Sequence, residues 1–182
     1  MEFYDVIKER VSVKKYKNNE VEKDKLLKMI NSAMRAPSWR NKSSYKLIIV
    51  KDEVLKERIS EAILNSGNEA ANAVIEAPIV VVFIANPEES GEVDNKEFYL
   101  VDASIAMEHF ILAATAEGYG SCWVAALDED RIKEALEIPN NFRVIALTPI
   151  GKSDEQVKHN DKKDINDFVF LNSFNNPYTE NI

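Results

Sequence analysis

The sequence predicts an α+β fold, a mixed central β-sheet flanked by helices. "PIVVVFIA" (78–85) is a continuous β-branched apolar run, the pattern of a strand buried on both faces. "VDASIAMEHFILAATAEG" (101–118) is apolar nearly all round at helical length, which predicts a buried central helix. Strand-like and helix-like segments do not alternate strictly, so the pattern is not a succession of βαβ units.

The remaining elements follow in order. Residues 2–9 predict a short helix. "RVSVKKY" (10–16) alternates Arg10, Ser12 and Lys14 with Val11 and Val13. In an extended chain, side chains two apart share a face, so one edge offers three hydrogen-bond donors and the other offers valines to a core. In "KDKLLKMINSAMRAP", Leu26, Leu27, Ile30, Ala33 and Met34 recur at helical spacing until Pro37 stops them. "YKLIIV" (45–50) reads as a strand. Val54, Leu55, Ile59, Ala62 and Ile63 mark a second amphipathic helix, and "NPEESGEVDNKE" (86–97) an exposed loop. "SCWVAAL" (121–127) and "FRVIALTPIG" (142–151) read as strands, with a short helix near 129–136 between them.

From Lys152 onward the chain turns polar, yet Phe168, Phe170, Phe174 and Tyr178 are spaced along it. Each aromatic can bury ~150–250 Å². The tail therefore packs either on its own domain or around a partner subunit, and the partner is the favoured reading.

The chain has 182 residues, a length that suits one domain over 1–182 with 152–182 as a C-terminal extension. With 31 acidic against 23 basic residues its net charge is −8, which argues against a general nucleic-acid or anionic-membrane binder. A basic cluster in such a chain points to a small, specific anion. Cys122 is the only cysteine, which excludes an internal disulfide and fits a cytoplasmic location. His109 and His159 have no metal-binding spacing. "MEFYDVIKER" lacks the n- and h-regions of a signal peptide, and the apolar runs read as too short and interrupted to span a bilayer. There is no G-x-G-x-x-G fingerprint and no Rossmann unit.

Four stretches, taken together, resemble one family. "RVSVKKY" resembles the opening R-R-S-[VI]-R-x-[FY] of the nitroreductase-like FMN oxidoreductases. "APSWRN" (36–41) is similar to their A-P-S-x-x-N. "DASIAMEHFILAATAEGYGSCWVA" (102–125) resembles their central helix and the G-L-G-[ST]-C-W-I-G after it. "DKKDINDFVFLNSF" (161–174) is similar to their closing R-K-x-L-x-E-[IV]-V-x-x-N-x-[WF]. The order matches, and nearly the whole chain is covered.

The resemblance implies an obligate homodimer with two FMN sites at the interface and a tail that embraces the neighbouring subunit. It implies NAD(P)H as electron donor and ping-pong hydride transfer through flavin N5 to a nitroaromatic, quinone or similar acceptor, with no side-chain catalytic residue. Carried over by position, Arg10 and Ser12 hold the phosphate, with Lys162 and Lys163 closing on it. Lys14 faces the pyrimidine near N1 and O2, where a cation favours the reduced state. Pro37, Ser38 and Asn41 reach the FMN of the opposite subunit. Ala125 and Ala126 present backbone N–H groups to N5 and O4, and Asn68 or Asn72 is either a flavin contact or a surface or cap residue. Cys122 and Trp123 read as core.

This chain departs from the pattern at several places. Val11 replaces an arginine, Lys162 stands where arginine is usual, and Ser43-Ser44 replaces Gln-Pro. Ala125-Ala126 replaces a glycine-containing pair, so a positive φ there would be strained. Trp39 either stacks on the flavin or an aromatic substrate, or narrows the substrate pocket. Two alternatives stand beside the oxidoreductase reading: a flavin-binding or redox-sensing protein with little turnover, and another flavin chemistry on the same fold, such as reductive dehalogenation or oxygen-dependent flavin fragmentation.

Overall fold

The run "PIVVVFIA" does lie in the middle of a sheet. The computed structural model describes residues 1–157, 159 and 163–178. Its helices are α1 (Phe3–Glu9), α2 (Lys23–Met34), α3 (Glu53–Ser60), α4 (Glu69–Glu76), α5 (Phe98–Ala116), α6 (Glu129–Leu136) and α7 (Ile165–Phe168). Its strands are β1 (Tyr45–Val50), β2 (Ile79–Ala85), β3 (Glu92–Val93), β4 (Lys96–Glu97), β5 (Gly120–Ser121) and β6 (Arg143–Gly151).

The main sheet runs β1-β2-β6-β5 and each of its ladders is antiparallel. A parallel bridge between Ser12 and Ser121 adds the segment after α1 to the β5 edge. Every residue of β2 is buried. Because strand side chains alternate, β2 feeds two cores at once. Ile79, Val81 and Phe83 pack with Met29 and Ala33 of α2 and with Ala103, Met107 and Phe110 of α5. Val80, Val82 and Ile84 pack with Ile59 of α3, Val74 of α4 and Ile132 of α6. Phe83 meets Phe110 edge-to-face, with ring centroids 5.9 Å apart.

Several expectations need correction. The helix begun at Val54 ends at Ser60, because Ala62 and Asp128 are drawn into a backbone pairing, Asp128 N donating to Ala62 O at 2.7 Å. Helix α4 was not foreseen, since its buried positions, Ala70, Ala73 and Val74, are small and give a weak periodic signal. The 86–97 stretch is not a plain exposed loop. Asn86 and Ser90 are buried, and Asp94-Asn95, both at positive φ (54° and 58°), turn a β3–β4 hairpin.

"SCWVAAL" is not a continuous strand. Only Ser121 belongs to a ladder, and further on Val124 and Leu147 exchange two backbone bonds of 3.0 and 2.8 Å. The central helix begins at Phe98, three residues before the predicted start. At 19 residues α5 is long and apolar enough, by length and composition, to cross a bilayer, which overturns the reading of every apolar run as too short. In the fold its buried face packs against α2 and β2.

Candidate functional site

The segment after α1 is held extended from both sides. Val13 N donates to Ser121 O at 2.8 Å on the β5 side. On the other, Lys17 N donates to Lys152 O and Asp154 N to Lys15 O, both at 2.9 Å. The first approach requires Gly120, where a Cβ would lie 2.6 Å from Val13 Cγ2. Val13 is buried while Ser12 and Lys14 are exposed, as the alternation predicts.

The alternation then slips by one, so Lys15 is exposed and Tyr16 is buried. Successive strand N–H groups normally point to opposite sides. Here Lys14 N and Lys15 N both donate to Glu155 Oε1, at 2.6 and 3.2 Å, and the chain kinks between them.

Arg10, Ser12 and Lys14 line one cleft of about 1150 Å³, together with Glu108 and Leu112 of α5 and His159 of the tail. The Arg10 guanidinium has no hydrogen bond or ion pair among the described residues. Lys14 Nζ pairs with the Glu69 carboxylate of α4. That hydrogen bond raises the Lys14 amine above its ordinary value and lowers Glu69 below the usual carboxylate range. Under the cleft, burial pushes the Cys122 thiol up, opposed by a hydrogen bond from Ser12 and the charges of Lys14 and Arg10. A raised, buried thiol is a poor nucleophile.

Pro37, Ser38 and Asn41 do not join this cleft. They sit in the loop after α2, where Arg40, Asn41 and Ser43 all adopt left-handed φ of 49°, 57° and 48°. The loop is tied to α5 by buried Asp102, whose carboxylate accepts Trp39 N at 2.7 Å, Ser90 Oγ at 3.1 Å and Ser44 Oγ at 3.3 Å. Within the loop, Ser43 N donates to Ser38 Oγ at 2.9 Å. Asp102 and Glu108 are six positions apart on α5. That spacing is roughly 9 Å along the axis and about 240° around it, so the loop and the cleft lie on different faces of the helix.

Trp39 is not a free platform. Its ring stacks on Phe98 at 4.1 Å and 18° from parallel, and its edge fills the space over Gly91. The Arg40 guanidinium lies 5.4 Å from its ring centroid.

Ala125 and Ala126 are exposed, and neither has a positive φ, so replacing glycine there brings no strain. The Ala126 carbonyl accepts from Leu64 N at 2.9 Å, whereas the N–H groups of both alanines have no partner among the described residues. Asn68 occupies the N-cap position of α4 without a side-chain cap bond, and Asn72 is exposed. Trp123 was expected in the core but is 38% exposed, because the backbone turns it outward between buried Cys122 and Val124. Lys163 is exposed and does not line the cleft, and Lys162 lies outside the described residues.

Sequence reasoning missed Glu69, Glu155 and Asp102. The first two meet Lys14 across 55 and 141 positions, a relationship no local pattern carries. Asp102 did leave a signal, since a carboxylate buried within an apolar helix must find donors. Among the described residues no group of His, Cys, Asp and Glu is placed to hold a metal.

The family model "Nitroreductase family" matches residues 7–152. A nitroreductase family protein from Clostridium novyi NT has a crystal structure similar at 50% identity and a TM-score of 0.83, over 98% of this chain and 97% of that one. A Clostridium difficile R20291 protein described as an FMN-dependent nitroreductase is similar at 31% identity and a TM-score of 0.81, over 93% and 98% of the two chains. An Archaeoglobus fulgidus protein with the provisional name NADH dehydrogenase/NAD(P)H nitroreductase is 32% identical over 146 residues, 78% of this chain and 80% of that one. With its extended donor edge, its central helix and these relatives, the chain belongs to the nitroreductase family of NAD(P)H-dependent oxidoreductases.

Proposed function

We propose that the protein is an FMN-dependent NAD(P)H oxidoreductase, acting as a homodimer and reducing a small acceptor of the nitroaromatic or quinone class. The observation that carries the reading is the cleft at residues 10–14. A guanidinium without a carboxylate partner and a hydroxyl converge there in a chain of net charge −8. A phosphate monoester takes bidentate, charge-assisted bonds from such a group. A second observation is the pair of unpartnered N–H groups at Ala125 and Ala126, donors suited to the polar edge of an isoalloxazine ring.

In this reading FMN, when bound, supplies the two-electron chemistry between NAD(P)H and the acceptor. Arg10 and Ser12 hold its phosphate, and the family pattern assigns Lys162 and Lys163 of the tail to the same phosphate, although Lys163 does not line the cleft in the single chain. Lys14 offers its ammonium to the pyrimidine edge, and the Ala125 and Ala126 N–H groups orient the ring.

Pro37, Ser38 and Asn41 of each chain serve the FMN held by the other, which agrees with their placement on a different face of α5 from the cleft. The exposed tail aromatics Phe168 and Phe174 (74% and 80%) cover that partner. The Trp39–Phe98 stack leaves Trp39 as support for the loop rather than a barrier to substrate, so the low-turnover alternative has no observation of its own.

The visible spectrum of the purified protein tests the proposal. A yellow preparation that releases FMN on denaturation, and whose colour bleaches with NADH or NADPH and returns with an acceptor, is expected. A colourless protein that does not take up added FMN refutes it.

A further inference from the structure

We propose that Glu69 is a positioning residue that sets the potential of the bound flavin by acting as counter-ion to Lys14. The inference rests on the FMN reading above and goes beyond it, because Glu69 touches the flavin only through another side chain.

Of the cations that line the cleft, the fold treats Arg10 and Lys14 differently. Arg10 is left without a carboxylate partner, whereas Lys14 is paired with Glu69, which α4 brings across 55 positions of sequence. The Lys14 backbone is clamped, because Glu155 Oε1 accepts both the Lys14 N–H at 2.6 Å and the Lys15 N–H at 3.2 Å. The only freedom left to Lys14 is in its side chain, which can lean toward Glu69 or toward the cleft.

Glu69 lies in the first turn of α4, where a carboxylate ordinarily serves the helix N-terminus. Here it reaches out to the ammonium instead. The division is functional: one cation at full strength for a phosphate whose charge does not change with redox state, and one partly neutralised cation for a ring edge whose charge does.

The consequence follows from electrostatics. An ammonium alone favours the anionic, reduced form of the flavin over the neutral, oxidised form. An ammonium with a carboxylate beside it presents a dipole, whose field is weaker and falls off faster. Glu69 therefore holds the potential down while keeping Lys14 charged and oriented.

The test is spectroelectrochemical titration of the FMN-loaded wild type, Glu69→Gln, Lys14→Met and the double variant. Glu69 is exposed, and thermal melts of each variant check that it is folded. Glu69→Gln is expected to raise the affinity for reduced over oxidised FMN about fivefold, which at 29.6 mV per tenfold for two electrons is about 20 mV. Lys14→Met is expected to lower the potential, and adding Glu69→Gln to it shifts the potential by less than Glu69→Gln alone, because the exposed Glu69 carboxylate, once released from the ammonium, turns to solvent. A Glu69→Gln potential equal to wild type, or an equal shift with and without Lys14, overturns the role of Glu69. In either case a shift with Lys14→Met alone leaves the FMN reading standing. A wild type that holds no FMN overturns that reading and this inference together.

Discussion

Asp102, 2% exposed within α5, accepts the backbone N–H of Trp39 at 2.7 Å and so anchors a loop containing three left-handed non-glycine residues. Such conformations cost on the order of 1–3 kcal/mol each and persist only where surrounding contacts impose them. Asp102→Ala removes the acceptor and leaves the Ser44 and Ser90 hydroxyls buried without it. Destabilisation of about 2–4 kcal/mol is expected, read as a lower urea midpoint with unchanged slope. Wild-type stability in this variant means that the loop holds itself.

Arg10→Ala is expected to weaken FMN binding far more than Lys15→Ala. Arg10 lines the cleft, whereas Lys15 is turned away by the kink at Glu155. A charge-assisted bond is worth ~1.5–3 kcal/mol, which is roughly ten- to hundredfold in affinity. Fluorescence titration measures both, and equal losses mean that net charge alone governs binding.

Removing residues 158–182 is expected to dissolve the proposed dimer. The tail aromatics Phe168 and Phe174 are exposed on the single chain, and Phe170 pairs within the tail, with the Phe174 ring at 4.8 Å and with Pro177 through a backbone bridge. A cut after Val157 keeps the bonds of Lys17 with Lys152 and of Lys15 with Asp154, so the extended segment after α1 stays paired. Sedimentation of the shortened chain is decisive: a dimer that still retains FMN removes the wrapped-tail idea.

Tyr16 predicts an alkaline dependence of stability. Its hydroxyl donates to Val13 O at 2.7 Å, and burial raises its phenol well above the ordinary value. A group whose folded pKa lies above its unfolded one lends stability that is complete below the unfolded pKa, near 10. That stability is lost as pH rises toward the folded value. Tyr16→Phe is expected to reduce the fall in unfolding free energy above pH ~10 by up to about 1.4 kcal/mol per pH unit. Tyr45 and Tyr99 are raised in the same sense and keep a residual slope. Identical alkaline slopes in the two proteins mean that Tyr16 ionises freely when folded.

Much of the fold was legible in local patterns. The β-branched run centred on Val81 and Val82 determined the middle strand, because only a strand buried on both faces needs such a run. The boundaries of β1 and α6 follow the periodicity, and α6 is capped by Asp128, the residue before it, which accepts Arg131 N at 3.2 Å. The common edge of Arg10, Ser12 and Lys14 was legible for the same reason, since side chains two apart share a face of an extended chain.

Tertiary structure decided the rest. Periodicity tells which face of an element is buried, and carries nothing about what crosses from another element. Helix α4 hid because alanines pack without a strong apolar signature, and with it hid the partner of Lys14. The exposure of Trp123, the kink that turns Lys15 away and the capture of the Trp39 loop by Asp102 all depend on groups far apart in sequence. Buried carboxylates and unpaired N–H groups are satisfied only after the chain has folded, so the charge of the cleft is set by packing, while the donors that line it are set by sequence.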